Sequence, residues 1–120
     1  MTAIHHDVGA DGILTLTIDL PGQSMNVINA EFTADLAAAI DTIKATAAIK
    51  GVVITSGKAS GFMAGADLKG MGDRLGGGAS GAGRSKMAGL FDSVFELNQL
   101  FRRLETCGKP VAAAINGLAL

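Results

Sequence analysis

The sequence predicts an α/β fold, and three observations carry that prediction. Leu14, Leu16 and Ile18 alternate with Thr15 and Thr17, the period-two pattern of a strand buried on one face. Phe32, Leu36, Ile40, Ile43 and Ala47 recur three or four residues apart and so share one face of a helix. Val52-Val53-Ile54 is an unbroken apolar run of strand length, too apolar to lie on a surface. Strand, helix, strand in that order predicts two strands paired in parallel through a right-handed crossover.

The elements follow in order. Ile4 to Val8 and Ile13 to Leu20 read as strands around Gly9-Ala10-Asp11-Gly12, in which Asp11-Gly12 is a hairpin signal. His5 and His6 are neighbours and point to opposite faces of a strand, which argues against a metal site. Pro21-Gly22 ends the second strand, because proline lacks a ladder donor and glycine accepts turn dihedrals. Asn29 is placed to cap a helix running to about Ala47, whose other face, with Glu31, Asp35, Asp41 and Lys44, reads as solvated charge. The next strand, Val52 to Thr55, ends at Ser56-Gly57, and Gly57 to Gly61 forms a turn.

Beyond that turn the small residues Ala64, Gly65 and Ala66 let the backbone approach a ligand, and Asp67 can cap a short helix beginning near Leu68. A strand, a tight turn and a helix start leave unpaired N–H groups pointing at one spot, which suits an oxygen that becomes anionic. Gly76 to Gly83 reads G-G-G-A-S-G-A-G and has Arg74, Arg84 and Lys86 beside it. It lacks the G-K-[ST] ending of a phosphate-binding loop, so it reads as a flexible linker or a mobile cover for substrate. Met87, Leu90, Val94, Leu97, Phe101 and Leu104 repeat at helical spacing from about Ser85 to Thr106. Phe91, Phe95 and Leu100 widen that face, so the helix is expected to be buried over more than half of its surface. Gly108 and Lys109-Pro110 stop it, and Val111 to Ile115 is expected to be another buried strand.

Composition narrows the function classes. The 120 residues are 48% hydrophobic and 18% charged, with a formal net charge of −1, which excludes a broad basic field for wrapping nucleic acid. No apolar run approaches the ~18 residues of a membrane span, and the N-terminus lacks the pattern of a secretory signal. A cytoplasmic protein is therefore expected. Cys107, the single cysteine, reads as a small buried side chain at a helix end; no histidine nearby would activate it as a nucleophile.

The string Phe62, Ala64, Gly65, Ala66, Asp67, Leu68, Lys69 and Met71 resembles the signature of the enoyl-CoA hydratase/isomerase (crotonase) superfamily. K-P-V-A-A-A-I-N-G-L-A-L, from Lys109 to Leu120, resembles a second segment of that family, one that continues into a triple glycine and a glutamate. The resemblance implies a crotonase-like fold of repeated β-β-α units, incomplete here. Residues 1–120 are accordingly expected to be the N-terminal portion of an acyl-CoA-binding domain, truncated before the glycine-rich catalytic segment. Asp19-Leu20-Pro21-Gly22-Gln23-Ser24-Met25-Asn26 is similar to the opening of multifunctional fatty-acid oxidation chains, which carry a 3-hydroxyacyl-CoA dehydrogenase after the hydratase.

The resemblance implies addition of water to a 2-enoyl-CoA, giving a 3-hydroxyacyl-CoA in fatty-acid β-oxidation. It assigns the Ala66 N–H as one of two oxyanion donors and Ala64, Gly65, Ala66, Asp67, Leu68 and Lys69 as substrate-binding residues. The second donor and the two general acid/base glutamates of the family lie outside this chain, so the chain alone is expected to be inactive. Glu31, Glu96 and Glu105 are expected on helices in solvent or salt pairs. No cofactor is implied for hydration, since CoA is part of the substrate, and NAD only if a dehydrogenase domain follows. An oligomer is implied for the intact protein. The alternatives are another crotonase-family isomerase, hydrolase or lyase, a non-catalytic CoA-binding relative, and a nucleotide-binding switch built on the glycine-rich loop.

Overall fold

The computed structural model describes residues 3–65 and 83–119, with the backbone alone for 83–93. Ala66, Asp67, Leu68, Lys69, the helix near Leu68 and residues 76–82 of the glycine-rich segment lie outside the described residues. Among the described residues six elements follow in order: β1 Ile4–Val8, β2 Ile13–Ile18, α1 Ala30–Ala45, β3 Gly51–Ser56, α2 Gly83–Glu105 and β4 Val111–Ala113. The strands form one sheet in the order β1-β2-β3-β4.

The expected hairpin joins β1 and β2. They are antiparallel, with Ile4 opposite Ile18 and Val8 opposite Leu14. Asp11 closes the turn by accepting the Ile13 N–H on its carboxylate at 3.1 Å. β2 pairs with β3 in parallel, Leu14 against Val52 and Ile18 against Ser56, and α1 provides the crossover. Asn29 caps α1 by accepting the Phe32 N–H at 2.9 Å. The helix stops at Ala45, two residues before the expected end, and the Lys109 ammonium donates to the Ile43 and Thr46 carbonyls at that terminus.

Leu14, Leu16, Ile18 and Leu20 from β2 and its extension meet Phe32, Leu36, Ala39, Ile40 and Ile43 from α1 in one buried cluster. Both periodicities thus point into the same core. Asp35 departs from the expected solvated face: its carboxylate accepts the N–H groups of Ala3 and Ile4 and ties the start of β1 to α1. Asp41 also leaves pure solvation, pairing with Arg103 of α2 at 2.7 Å.

Two expectations of burial fail. α2 begins at Gly83 and buries Leu100, yet Val94, Phe95 and Phe101 are 45%, 51% and 39% exposed. An apolar face that wide needs packing on several sides, and among the described elements α1 is the helix that α2 meets. Likewise Val111 to Ile115 is not a buried strand. β4 spans only Val111–Ala113 and, among the described residues, is bordered by β3 alone, and Ile115 is 61% exposed. β3 itself is buried at Val52 and intermediate at Val53, Ile54 and Thr55, less enclosed than its apolar run suggests.

Candidate active site

β2, β3 and β4 all run the same way, since β2 is parallel to β3 and β3 to β4. Their carboxyl ends therefore deliver three connections, 19–28, 57–65 and 114–119, to one edge of the sheet. That edge is where parallel α/β sheets bind ligands. In this protein the three connections hold one another through a small set of polar groups.

Asn26 sits between the exits of β2 and β3 with 1% of its surface exposed. Its Oδ1 accepts the Leu20 N–H at 3.1 Å. Its Nδ2 donates toward the Ile18 carbonyl at 2.9 Å, Ser56 Oγ at 2.8 Å and the Phe62 carbonyl at 3.1 Å. One oxygen facing an N–H and one nitrogen facing two carbonyls fix the orientation of the amide. Among the described residues no buried side-chain nitrogen or oxygen lacks a partner. A buried polar network satisfied to that degree is rigid.

Asn116 acts on the other side of β3. Its Oδ1 accepts the Ser56 N–H at 3.2 Å and its Nδ2 donates to the Ser56 carbonyl at 2.9 Å, so the side chain stands in for a strand neighbour where β4 has ended. Asn116-Gly117 is thus more than the turn its composition suggests.

Between these anchors runs Phe62–Gly65. Along one edge the Phe62 and Met63 N–H groups donate to the Leu118 carbonyl at 2.8 and 3.1 Å, and Met63 bridges Ala119 in parallel fashion. Along the other edge Ala64 N–H donates to the Asn26 carbonyl and Ile28 N–H to the Gly65 carbonyl, both at 2.8 Å. The segment is wedged between 26–28 and 118–119. The wedge is tight enough to need glycine: a Cβ on Gly117 would lie 2.9 Å from Gly61 Cα, and one on Gly61 would lie 3.1 Å from the Leu118 nitrogen and oxygen. Their φ angles, +133° and +148°, exclude other residues independently.

Lys58 closes the site from the β2 side. Its ammonium, on a side chain only 12% exposed, donates to Asp19 Oδ1 at 2.8 Å and to the carbonyls of Leu20 and Gln23 at 2.8 and 2.7 Å. The hydrogen bond from Lys58 holds the Asp19 carboxyl below its ordinary 3.8, with the Lys58 charge acting in the same direction. Asp19 and Asn26 thus bracket one turn and grip the connection after β3 from two positions.

Of the residues singled out from the sequence, Ala64 and Gly65 lie in this wedge, while Ala66, Asp67, Leu68 and Lys69 lie outside the described residues. Glu105 pairs with Arg102 at 3.0 Å and Glu96 is exposed, as expected of charges in solvent or salt pairs, whereas Glu31 is half-buried in the first turn of α1. Cys107 is free and buried. Among the described residues no group of His, Cys, Asp and Glu could hold a metal ion, and no helix is long and apolar enough to cross a membrane.

Asn26, Ser56 and Lys58 are the site residues that sequence reasoning missed. The eight-residue stretch from Asp19 to Asn26 was visible as a turn, but its grip on residues 30 or more positions away was not.

Residues 9–120 match the family described as "Enoyl-CoA hydratase/isomerase". The chain belongs to that family. It is 38% identical over 110 residues to "Fatty acid oxidation complex subunit alpha" of Shewanella amazonensis and 41% identical over 109 residues to the protein of that name from Pseudomonas paraeruginosa. These alignments cover 92% and 91% of this chain and 14% of each relative, so the chain spans about one-seventh of the curated relatives it matches. Among solved structures it resembles an enoyl-CoA hydratase from Bacillus anthracis, with a TM-score of 0.74 at 23% identity over 98% of this chain and 41% of that one. An enoyl-CoA hydratase/carnithine racemase from Magnetospirillum magneticum gives a TM-score of 0.74 at 27% identity, over 96% and 39%. The fold is therefore crotonase-like, and the expectation drawn from the two sequence segments holds.

Proposed function

We propose that residues 1–120 form the N-terminal, thioester-binding portion of an enoyl-CoA hydratase of fatty-acid β-oxidation. The observation that carries this reading is the wedge. Two segments 52 residues apart, Gly61–Gly65 and Gly117–Ala119, meet backbone to backbone at the carboxyl edge of a parallel sheet, and these are the segments that carry the family resemblance. Hydration adds hydroxide to C3 of a 2-enoyl-CoA and a proton to C2. Negative charge gathers on the thioester oxygen as the C3–O bond forms. The Ala66 N–H would stabilise that charge as one of two donors, within a substrate site made by Ala64, Gly65, Ala66, Asp67, Leu68 and Lys69.

The acid/base glutamates of this reaction belong to a following segment of the protein, and none of Glu31, Glu96 and Glu105 takes their place. Hydration uses no cofactor, and NAD would serve only a dehydrogenase domain in a longer chain. The working form is an oligomer in the cytoplasm and its partner is the acyl-CoA, with no nucleic acid.

The test is turnover of crotonyl-CoA by the full-length protein. Loss of the enoyl absorbance with formation of 3-hydroxybutyryl-CoA is expected. A shifted double bond, free CoA or a shortened acyl chain would instead mark an isomerase, hydrolase or lyase, and binding without turnover a non-catalytic relative. Protection against heat by nucleotides but not by CoA would favour the glycine-loop alternative.

A further inference from the structure

We propose that Asn26 is a positioning residue for the thioester site, its buried amide setting the course of Phe62–Gly65 and so the polarisation of a bound thioester carbonyl. The inference rests on the hydratase reading above. It starts from a group that hydration itself does not use: an amide with 1% exposure, placed where an apolar side chain would fill the same space without needing partners.

Asn26 holds the segment twice. Its backbone carbonyl accepts Ala64 N–H at 2.8 Å, and its side chain donates to the Phe62 carbonyl at 3.1 Å. The same Nδ2 reaches the Ile18 carbonyl and Ser56 Oγ, the last residues of β2 and β3. The segment is thereby referenced to the two most enclosed strands of the sheet rather than to its own turn. Two N–H bonds serve three acceptors, so a shift of any one partner redistributes the others. On the far side Phe62 and Met63 share the Leu118 carbonyl, which limits movement along the segment but leaves its tilt to Asn26.

A purely structural role would act on stability alone. A positioning role acts on the bound state, because a catalytic donor misplaced by about 1 Å can cost about 10²-fold in rate. Asn26→Ala keeps the Ala64 N–H to backbone carbonyl bond and removes the side-chain tie, so the segment stays attached while its reference to β2 and β3 is lost. Ser56→Ala removes one of the three acceptors and leaves the ties to Ile18 and Phe62. Lys109→Met removes the cap of α1, far from the wedge in function, and serves as the destabilised control.

The experiment uses the full-length protein and a conjugated aryl-enoyl-CoA whose absorption moves to the red when its carbonyl is polarised. For Asn26→Ala the bound red shift should shrink and kcat should fall about 10²-fold, with the probe's dissociation constant changed by no more than about threefold. Ser56→Ala should change both in the same sense by about three- to tenfold in kcat. Lys109→Met should lower the melting temperature and keep the parental shift. A parental red shift and parental kcat in folded Asn26→Ala would overturn the positioning role. If Asn26→Ala does not fold, Ser56→Ala decides, and a parental shift there overturns the role equally. A parent protein that binds the probe with no red shift would overturn the hydratase reading itself, and the inference with it.

Discussion

Gly117→Ala probes the wedge at its narrowest point. The added methyl would lie 2.9 Å from Gly61 Cα, closer than ordinary contact, and the atom it meets is backbone rather than a side chain that could rotate away. Gly61 cannot retreat freely, because its other side faces Leu118 and its neighbour Phe62 is bonded to the Leu118 carbonyl. Two costs arise. A non-glycine residue at φ +133° carries about 1–3 kcal/mol of backbone strain. Overpacking adds a further ~1–3 kcal/mol. One backbone shift relieves part of both, so the sum is about 2–4 kcal/mol, or about 30- to 10³-fold in a local opening constant. Hydrogen exchange at the Phe62 and Met63 amides of the full-length protein reads that constant directly, since both donate across the contact. Gly22→Ala is the control: Gly22 also has a positive φ, +74°, but nothing lies within 4 Å of the added methyl. If Gly117→Ala raised exchange at these two amides no more than Gly22→Ala does, the two segments would not be locked as described and the wedge argument would fail.

Three further outcomes are expected. Ala66→Pro in the full-length protein should lower the proposed hydratase kcat about 10²- to 10³-fold by removing the proposed donor, while Ala66→Ser, which keeps the N–H, should retain far more activity; a folded Ala66→Pro protein with near-parental turnover would refute the oxyanion assignment. Asn29→Ala should cost about 1 kcal/mol in urea unfolding through loss of the bond to Phe32 N–H, and an unchanged midpoint would show that the cap is dispensable. Asp19 is held below its ordinary 3.8, so its contribution to stability is present above that value and lost as pH falls through the lower folded value. The melting-temperature gap between parent and Asp19→Asn should accordingly be flat near neutrality and close below pH 3.8; a gap that widens with acid would contradict the Lys58 pairing.

What the sequence made legible was whatever depends on near neighbours. The alternation of Leu14, Leu16 and Ile18, the spacing of Phe32, Leu36, Ile40 and Ile43, and the Asn29 cap are periodic or local signals, and all reappear in the core or at the helix start. Burial of α2 and β4 was misread because apolar content states what a segment can bury, not what stands opposite it. Val94, Phe95 and Phe101 have the composition of a core face and are exposed among the described residues. The motif residues Ala64 and Gly65 were found through resemblance. No local property distinguishes them from any short strand-to-helix turn.

Asn26 is illegible for a different reason. Asparagine is common in turns because its side chain bonds nearby backbone, and after Pro21-Gly22 that reading suffices. Its actual partners at Ser56 and Phe62 lie 30 and 36 residues away and become neighbours only once β2 and β3 pair in parallel register, Ile18 against Ser56. A slip by one residue would turn Ser56 to the other face and leave the Asn26 amide facing one acceptor fewer in a buried position. The polar network therefore does two things with one side chain. It penalises the wrong strand register during folding, and in the finished protein it holds the segment on which the proposed chemistry depends. Those two demands converge on Asn26 because the site is built at the carboxyl ends of the strands, where an error of register becomes an error in the position of the site.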